Sequence, residues 1–130
     1  MRSTWRIAGT AAGAIALLAS ACGGGEQPEA ACQPTGTALQ VSAQDISFDT
    51  DCLAAPAGQP FTIEFQNNEQ NVSHNVAIYT DLSAGEELFV GEIFPGPDSR
   101  TYRVPAMDPG TYFFRCDVHP GQMTGTFVVE

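Results

Sequence analysis

The stretch TYFFRCDVHPGQMTGTFVV, Thr111–Val129, reads as two β-strands joined by a loop that carries three metal-binding side chains. Under a period of two, Tyr112, Phe114 and Cys116 share one strand face, and Phe113 and Arg115 share the other. The turn signal His119-Pro120-Gly121 divides this strand from Thr124–Val129. A hairpin-like loop then brings the Cys116 thiolate, the His119 imidazole and the Met123 thioether to one point, all within eight residues. One soft thiolate with imidazole and a weak thioether suits copper moving between its two oxidation states. The set lacks a second imidazole, and the chain has only one other histidine. That residue, His74, opens the candidate strand Asn75–Tyr79, which in a two-sheet sandwich can lie beside the Cys116 strand.

Working outward, short runs rich in Val, Ile, Phe, Tyr and Thr recur between Pro and Gly turns. They predict strands at Gln40–Phe48, Pro60–Asn67, Asn75–Tyr79, Leu88–Val90, Arg100–Val104, Thr111–Cys116 and Thr124–Val129. Phe61, Ile63 and Phe65 alternate with Thr62, Glu64 and Gln66, the pattern of a strand with one buried and one wet face. No segment holds a helical period, although Leu82–Leu88 is long enough for a turn or two of helix. The expected fold is all-β, a Greek-key sandwich of about seven to eight strands spanning residues 39–130.

The ends of the chain set its compartment. Met1–Ala21 has Arg2 and Arg6, then an apolar run from Ile7 to Leu18, then small residues, which is the layout of a secretory signal. Ala19-Ser20-Ala21-Cys22 resembles a lipoprotein cleavage box, with Ala19 in place of the usual large aliphatic residue. Lipid on Cys22 is the reading this supports, with a free or disulfide-bonded thiol as the alternative. Residues 22–38, rich in Gly, Pro, Glu, Gln and Ala, read as a lipid-anchored tether. Arg2 and Arg6 are not adjacent, so the signal for exporting folded proteins is missing, and any metal is expected to be acquired outside. Localisation at the outer face of the cell membrane, or in a periplasm, follows. With Cys22 lipidated and Cys116 on metal, Cys32 and Cys52 remain to form a disulfide in an oxidising compartment.

All fifteen acidic residues follow Cys22, against Arg100, Arg103 and Arg115, so the exported part carries a net −12. Nucleic acid and anionic lipid are thereby disfavoured as direct partners, and a basic partner protein would be steered toward it. The same acidity serves solubility. Other chemistries find no support. A binuclear copper centre needs a second thiolate where Pro120 stands, and a structural zinc site needs a better fourth ligand than a thioether. A Cys–His nucleophile would need an orienting group and an oxyanion hole that nothing marks, so no enzymatic activity is expected.

These motifs resemble the cupredoxins, particularly their plastocyanin and amicyanin branch, over Leu39–Glu130. The likeness is carried by His74-Asn75-Val76, by Tyr112-Phe113-Phe114-Arg115-Cys116, by Cys116-x-x-His119 and by Met123-Thr124-Gly125-Thr126. The resemblance implies one type 1 copper per chain, with His74, Cys116 and His119 as strong ligands and Met123 as the weak axial one. Asn75 would then tie the two ligand loops together and place its backbone N–H near the Cys116 sulfur. Three residues separate His119 from Met123, intermediate between the amicyanin and plastocyanin loops. Gln122 is the alternative axial donor. The implied function is single-electron transfer between extracytoplasmic redox partners by a monomer. Electrons would leave through a surface His119 beside an apolar patch of Phe94, Pro95 and Pro120. Copper binding, storage or delivery is the second reading.

Overall fold

Phe61, Ile63 and Phe65 are buried while Glu64 and Gln66 are exposed, so the alternation read from the sequence does fix which face of this strand meets the core. The same logic runs through the computed structural model, which describes residues 32–130. The expected export signal, the expected lipid site at Cys22 and the tether up to residue 31 lie outside the described residues. Eleven strands are present and no helix, among the described residues. They are β1 (Ala38–Gln44), β2 (Ser47–Phe48), β3 (Cys52–Ala55), β4 (Phe61–Asn67), β5 (Ser73–His74), β6 (Ala77–Tyr79), β7 (Glu87–Val90), β8 (Phe94–Pro95), β9 (Asp98–Val104), β10 (Gly110–Arg115) and β11 (Thr124–Val129).

One sheet runs β2-β1-β4-β9 and the other β3-β11-β10-β6-β7, with a small β5-β8 ribbon beside them. Both sheets are mixed, since β1 pairs parallel with β4, and β3 parallel with β11. Their inner faces close on one core that includes Val41, Ile63, Phe65, Phe114, Phe127 and Val129. Rings cross between the sheets, Phe61 to Phe127 at 5.6 Å and Phe48 to Phe114 at 5.3 Å. Each such side chain stabilises the sandwich by about 2 kcal/mol through burial alone. Phe114 and Cys116 point into this core, whereas Phe113 packs with Ala77 and Tyr79 on the opposite face of the sheet.

Two expectations are corrected. Gln40–Phe48 is not one strand: Asp45 and Ile46 both take left-handed φ, at 53° and 54°, and fold the chain back as a β1–β2 hairpin. Leu82–Leu88 forms no helix. The Asp81 carboxylate accepts the Ser83 N–H at 2.8 Å, and Ala84 turns left-handed, giving the backbone a local turn in place of a helical one.

Cys32 and Cys52 form a disulfide with 5.6 Å between their Cα atoms, which pins the N-terminal end of the described chain to β3. Thr126 pairs with Cys52, so this link braces the strand that continues from the metal-binding loop.

Candidate metal centre

The hairpin β10–β11 is registered so that Phe114 faces Gly125, and a Cβ on Gly125 would overlap the Phe114 ring. Glycine is required there by the close approach of the ring. That fit sets the loop between Arg115 and Thr124. Its neck is closed by the Cys116 N–H donating to the Met123 carbonyl at 2.9 Å, and its turn by the Met123 N–H donating to the His119 carbonyl at 3.1 Å. Cys116 and Met123 are thereby both carried into the core, while Gln122 is exposed. His119 is half-buried, with exposed Pro120 and Gly121 after it.

His74 arrives from the other side. It pairs with Phe94 in the β5–β8 ribbon and is wholly buried. Asn67, also wholly buried, holds this ribbon by donating to the Val72 carbonyl at 2.8 Å and the Phe94 carbonyl at 3.0 Å. Its side-chain oxygen accepts the Glu69 N–H at 3.0 Å. Glu69 Oε2 in turn lies 2.8 Å from His74 Nε2 and accepts the Ile46 N–H at 2.9 Å. Those two bonds, the Ile46 one foremost, hold the Glu69 carboxyl below the usual carboxylate range.

The ligand atoms of His74, Cys116 and His119 lie within 4.8 Å of one another. Cys116 Sγ faces His74 Nδ1 at 3.7 Å and His119 Nδ1 at 3.9 Å. An ion about 2 Å from each nitrogen and about 2.3 Å from sulfur, in a trigonal plane, would separate sulfur from nitrogen by about 3.8 Å. Both sulfur–nitrogen distances match that spacing, so the thiolate and the two imidazoles already converge on a point a first-row metal ion could occupy. One thiolate, two imidazoles and a buried thioether nearby form a donor set soft enough for Cu(I) and nitrogenous enough for Cu(II).

Asn75 stitches the two sides together. Its side-chain oxygen accepts the Asp117 N–H at 2.8 Å, and its amide donates to the Gly91 carbonyl at 3.0 Å. Asp117 is itself held by Tyr79, whose hydroxyl donates at 2.7 Å, and by Arg115 at 3.0 Å. Burial pushes the Asp117 carboxyl up, but the bonds from Tyr79, Arg115 and Asn75 outweigh it and keep the group below its ordinary value. The Arg115 guanidinium also stacks 4.5 Å over the Tyr79 ring.

Sequence reasoning did not single out Asn67, Glu69 or Asp117. Asp117 had one available signal, a carboxylate between two basic-capable residues in the ligand loop. Asn67 and Glu69 had none, because their partners, which are main-chain groups and, for Glu69, the His74 ring as well, are brought to them only by the fold. The apolar patch also needs correction. Phe94 is buried beneath Arg100, whose guanidinium lies 4.4 Å over its ring, so it cannot present a docking face. Pro95 and Pro120 are exposed as expected, and Ile93 and Val118, 50 % and 42 % exposed, are further apolar side chains at the surface in these two segments.

The sequence profile of the family described as "Cupredoxin-like domain" matches residues 11–129. No curated protein matches the chain. Among solved structures, auracyanin from Roseiflexus castenholzii is similar at 21 % identity and a TM-score of 0.64, over 72 % of this chain and 97 % of that one. Auracyanin A of Chloroflexus aurantiacus, described as a "blue" copper protein, is similar at 23 % identity and a TM-score of 0.64, over 73 % and 99 %. An amicyanin variant in its reduced Cu(I) form shares 26 % identity at a TM-score of 0.54, over 72 % and 82 %. With its two-sheet sandwich and nearly its whole length matched by the profile, the chain belongs to the cupredoxin-like family.

Proposed function

We propose that this chain binds one copper ion through His74, Cys116 and His119, with Met123 as the weak axial donor, and carries single electrons between extracytoplasmic partners. The observation that carries this reading is the convergence of one sulfur and two imidazole nitrogens within 4.8 Å, with the sulfur at metal-bridging distance from both nitrogens. The copper named in the descriptions of auracyanin A and amicyanin supports it. Met123 is favoured over Gln122 because it lies in the same buried cluster as Cys116.

Copper supplies a one-electron couple. The chain's part is to keep its donors still while the charge changes. His74, Cys116 and Asn75 are wholly buried, and close packing leaves such groups little room to shift. His119 is the half-exposed member, and so the route by which an electron leaves. Exposed Val118 and Pro120 on either side of it would give an apolar contact for brief docking, and the acidic domain would favour a basic redox partner. The reading is of a carrier rather than a catalyst, acting as a monomer. Export by Met1–Ala21 and a lipid on Cys22 would hold the carrier at the outer membrane face. The complete burial of His74 and Cys116 also favours carriage over copper delivery, which needs donors that an acceptor can reach.

Copper titration of the purified domain tests the site. The expected result is an intense visible thiolate-to-Cu(II) band that is lost in Cys116→Ser. A pale spectrum of ordinary tetragonal Cu(II) would refute the blue-copper reading. Rapid, complete loss of Cu(I) to a protein acceptor would favour delivery instead.

A further inference from the structure

We propose that Glu69 is a positioning residue of the metal centre: it fixes the tautomer and angle of His74, and the left-handed Asp45–Ile46 turn holds Glu69 in place to do so. A single oxygen, Oε2, carries both contacts, to His74 Nε2 at 2.8 Å and from the Ile46 N–H at 2.9 Å. An ionised carboxylate has no hydrogen to give, so the hydrogen in the His74 contact belongs to Nε2. In the neutral ring this leaves Nδ1 with its lone pair, and Nδ1 is the atom that faces Cys116 Sγ at 3.7 Å. A carboxylate behind an imidazole both sets its orientation and makes it a stronger donor. His74 is wholly buried, so bulk solvent does not reach the ring to take that place.

Glu69 is anchored from both ends. Its own N–H is held by the buried Asn67 side chain, and its carboxylate by the hairpin turn 23 residues upstream. That turn is an unusual one. Left-handed φ at both central residues suits a two-residue hairpin, but a β-branched residue rarely adopts it, and Ile46 does so at 54°. The conformation aims the Ile46 N–H at Glu69. The β1–β2 turn thereby belongs to the support of a ligand it does not touch.

The test reads the His74 tautomer by long-range proton–nitrogen NMR on the metal-free, nitrogen-15-labelled chain at mildly alkaline pH. Wild type is expected to show the Nε2–H form alone. Glu69→Ala should show a mixture, and Glu69→Gln should keep the Nε2–H form because its amide oxygen can replace Oε2. One glycine inserted between Asp45 and Ile46 should shift the tautomer toward the Glu69→Ala pattern, whereas Ile46→Gly, which keeps the N–H and the turn, should not. An unchanged tautomer in Glu69→Ala overturns the proposal, and an unchanged tautomer in the insertion variant removes the turn from it. A second arm rests on the copper reading. Glu69→Ala should bind copper about 10- to 100-fold more weakly, and Glu69→Gln should bind near normally but at a higher reduction potential, because Cu(II) loses a neighbouring negative charge. Equal affinity and potential in all three proteins would overturn the positioning role, whereas absence of copper binding in wild type would sink the copper reading and leave the tautomer result to decide Glu69.

Discussion

Cys116, His119 and Met123 come from one loop and are held by one another's backbone, whereas His74 is held by groups brought from distant parts of the chain. The first side is closed by bonds between Cys116, His119 and Met123 themselves, over a hairpin whose register packs Phe114 on Gly125. The second needs Asn67 at the end of β4, Phe94 in β8, Glu69 in the loop and Ile46 in the β1–β2 turn. A local device survives as long as its hairpin does. A device assembled from remote segments fails when any one of them moves. The two sides therefore differ in how they can be broken.

The largest effect is expected from Asn67→Ala. It takes the side-chain partner from the buried Phe94 carbonyl and the partly buried Glu69 N–H, and leaves the Val72 carbonyl with the Gly96 N–H alone. Unsatisfied buried groups of this kind cost about 1–3 kcal/mol each, and a total of roughly 4 kcal/mol is expected in chemical denaturation. The His74 side should loosen while the β10–β11 loop keeps its register, visible as lost amide protection confined to Glu69–Asn75. Equal loss of protection in both loops would erase the distinction drawn between them.

Gly125→Ala is the matching attack on the local side. Its Cβ would meet the wholly buried Phe114 ring and the Asp51 carbonyl, which is tied to the Thr126 N–H. Overpacking of a filled core costs about 2 kcal/mol, measurable as a shift in the denaturation midpoint. The accompanying displacement should appear in the Cys116–Met123 loop and leave the contact between Glu69 and His74 intact.

The same difference explains what could be read before folding. The strand periods of Phe61–Phe65 and Tyr112–Cys116 were legible because a period of two is a local property, and they located both the sandwich and Cys116. The eight residues from Cys116 to Met123 were legible because their chemistry is written consecutively. His74 could be named because the chain has no other second imidazole, but its supports could not. Asn67 acts on main-chain atoms, and Glu69 on the Ile46 N–H and the His74 ring, whose positions exist only once β1, β4, β5 and β8 are in place. The Asp45–Ile46 turn was hidden for a related reason: Ile favours strands, and the hairpin imposes a left-handed φ that its side chain would not choose alone. Phe94 misled in the opposite sense, since an aromatic next to proline looks exposed until Arg100 is seen covering it.

The seam between the two sides offers the smallest and most specific test. Asp117, next to Cys116, meets Asn75, next to His74, and its carboxylate is held by Tyr79 and Arg115. Its folded pKa lies below the ordinary value. The unfolded chain therefore binds the proton more readily, and the stabilisation is present above the unfolded carboxylate pKa of about 3.9. It is lost as pH falls through the still lower folded value. Asp117→Asn removes the charge that Arg115 faces while keeping an oxygen for the Tyr79 hydroxyl. At neutral pH it should be less stable by about 1 kcal/mol, as befits a partly exposed ion pair. Denaturation midpoints of the two proteins should converge on acidification below that range. A gap that stays constant with pH would mean that the seam is held by the Asn75 bond to the Asp117 backbone, with the carboxylate contributing nothing.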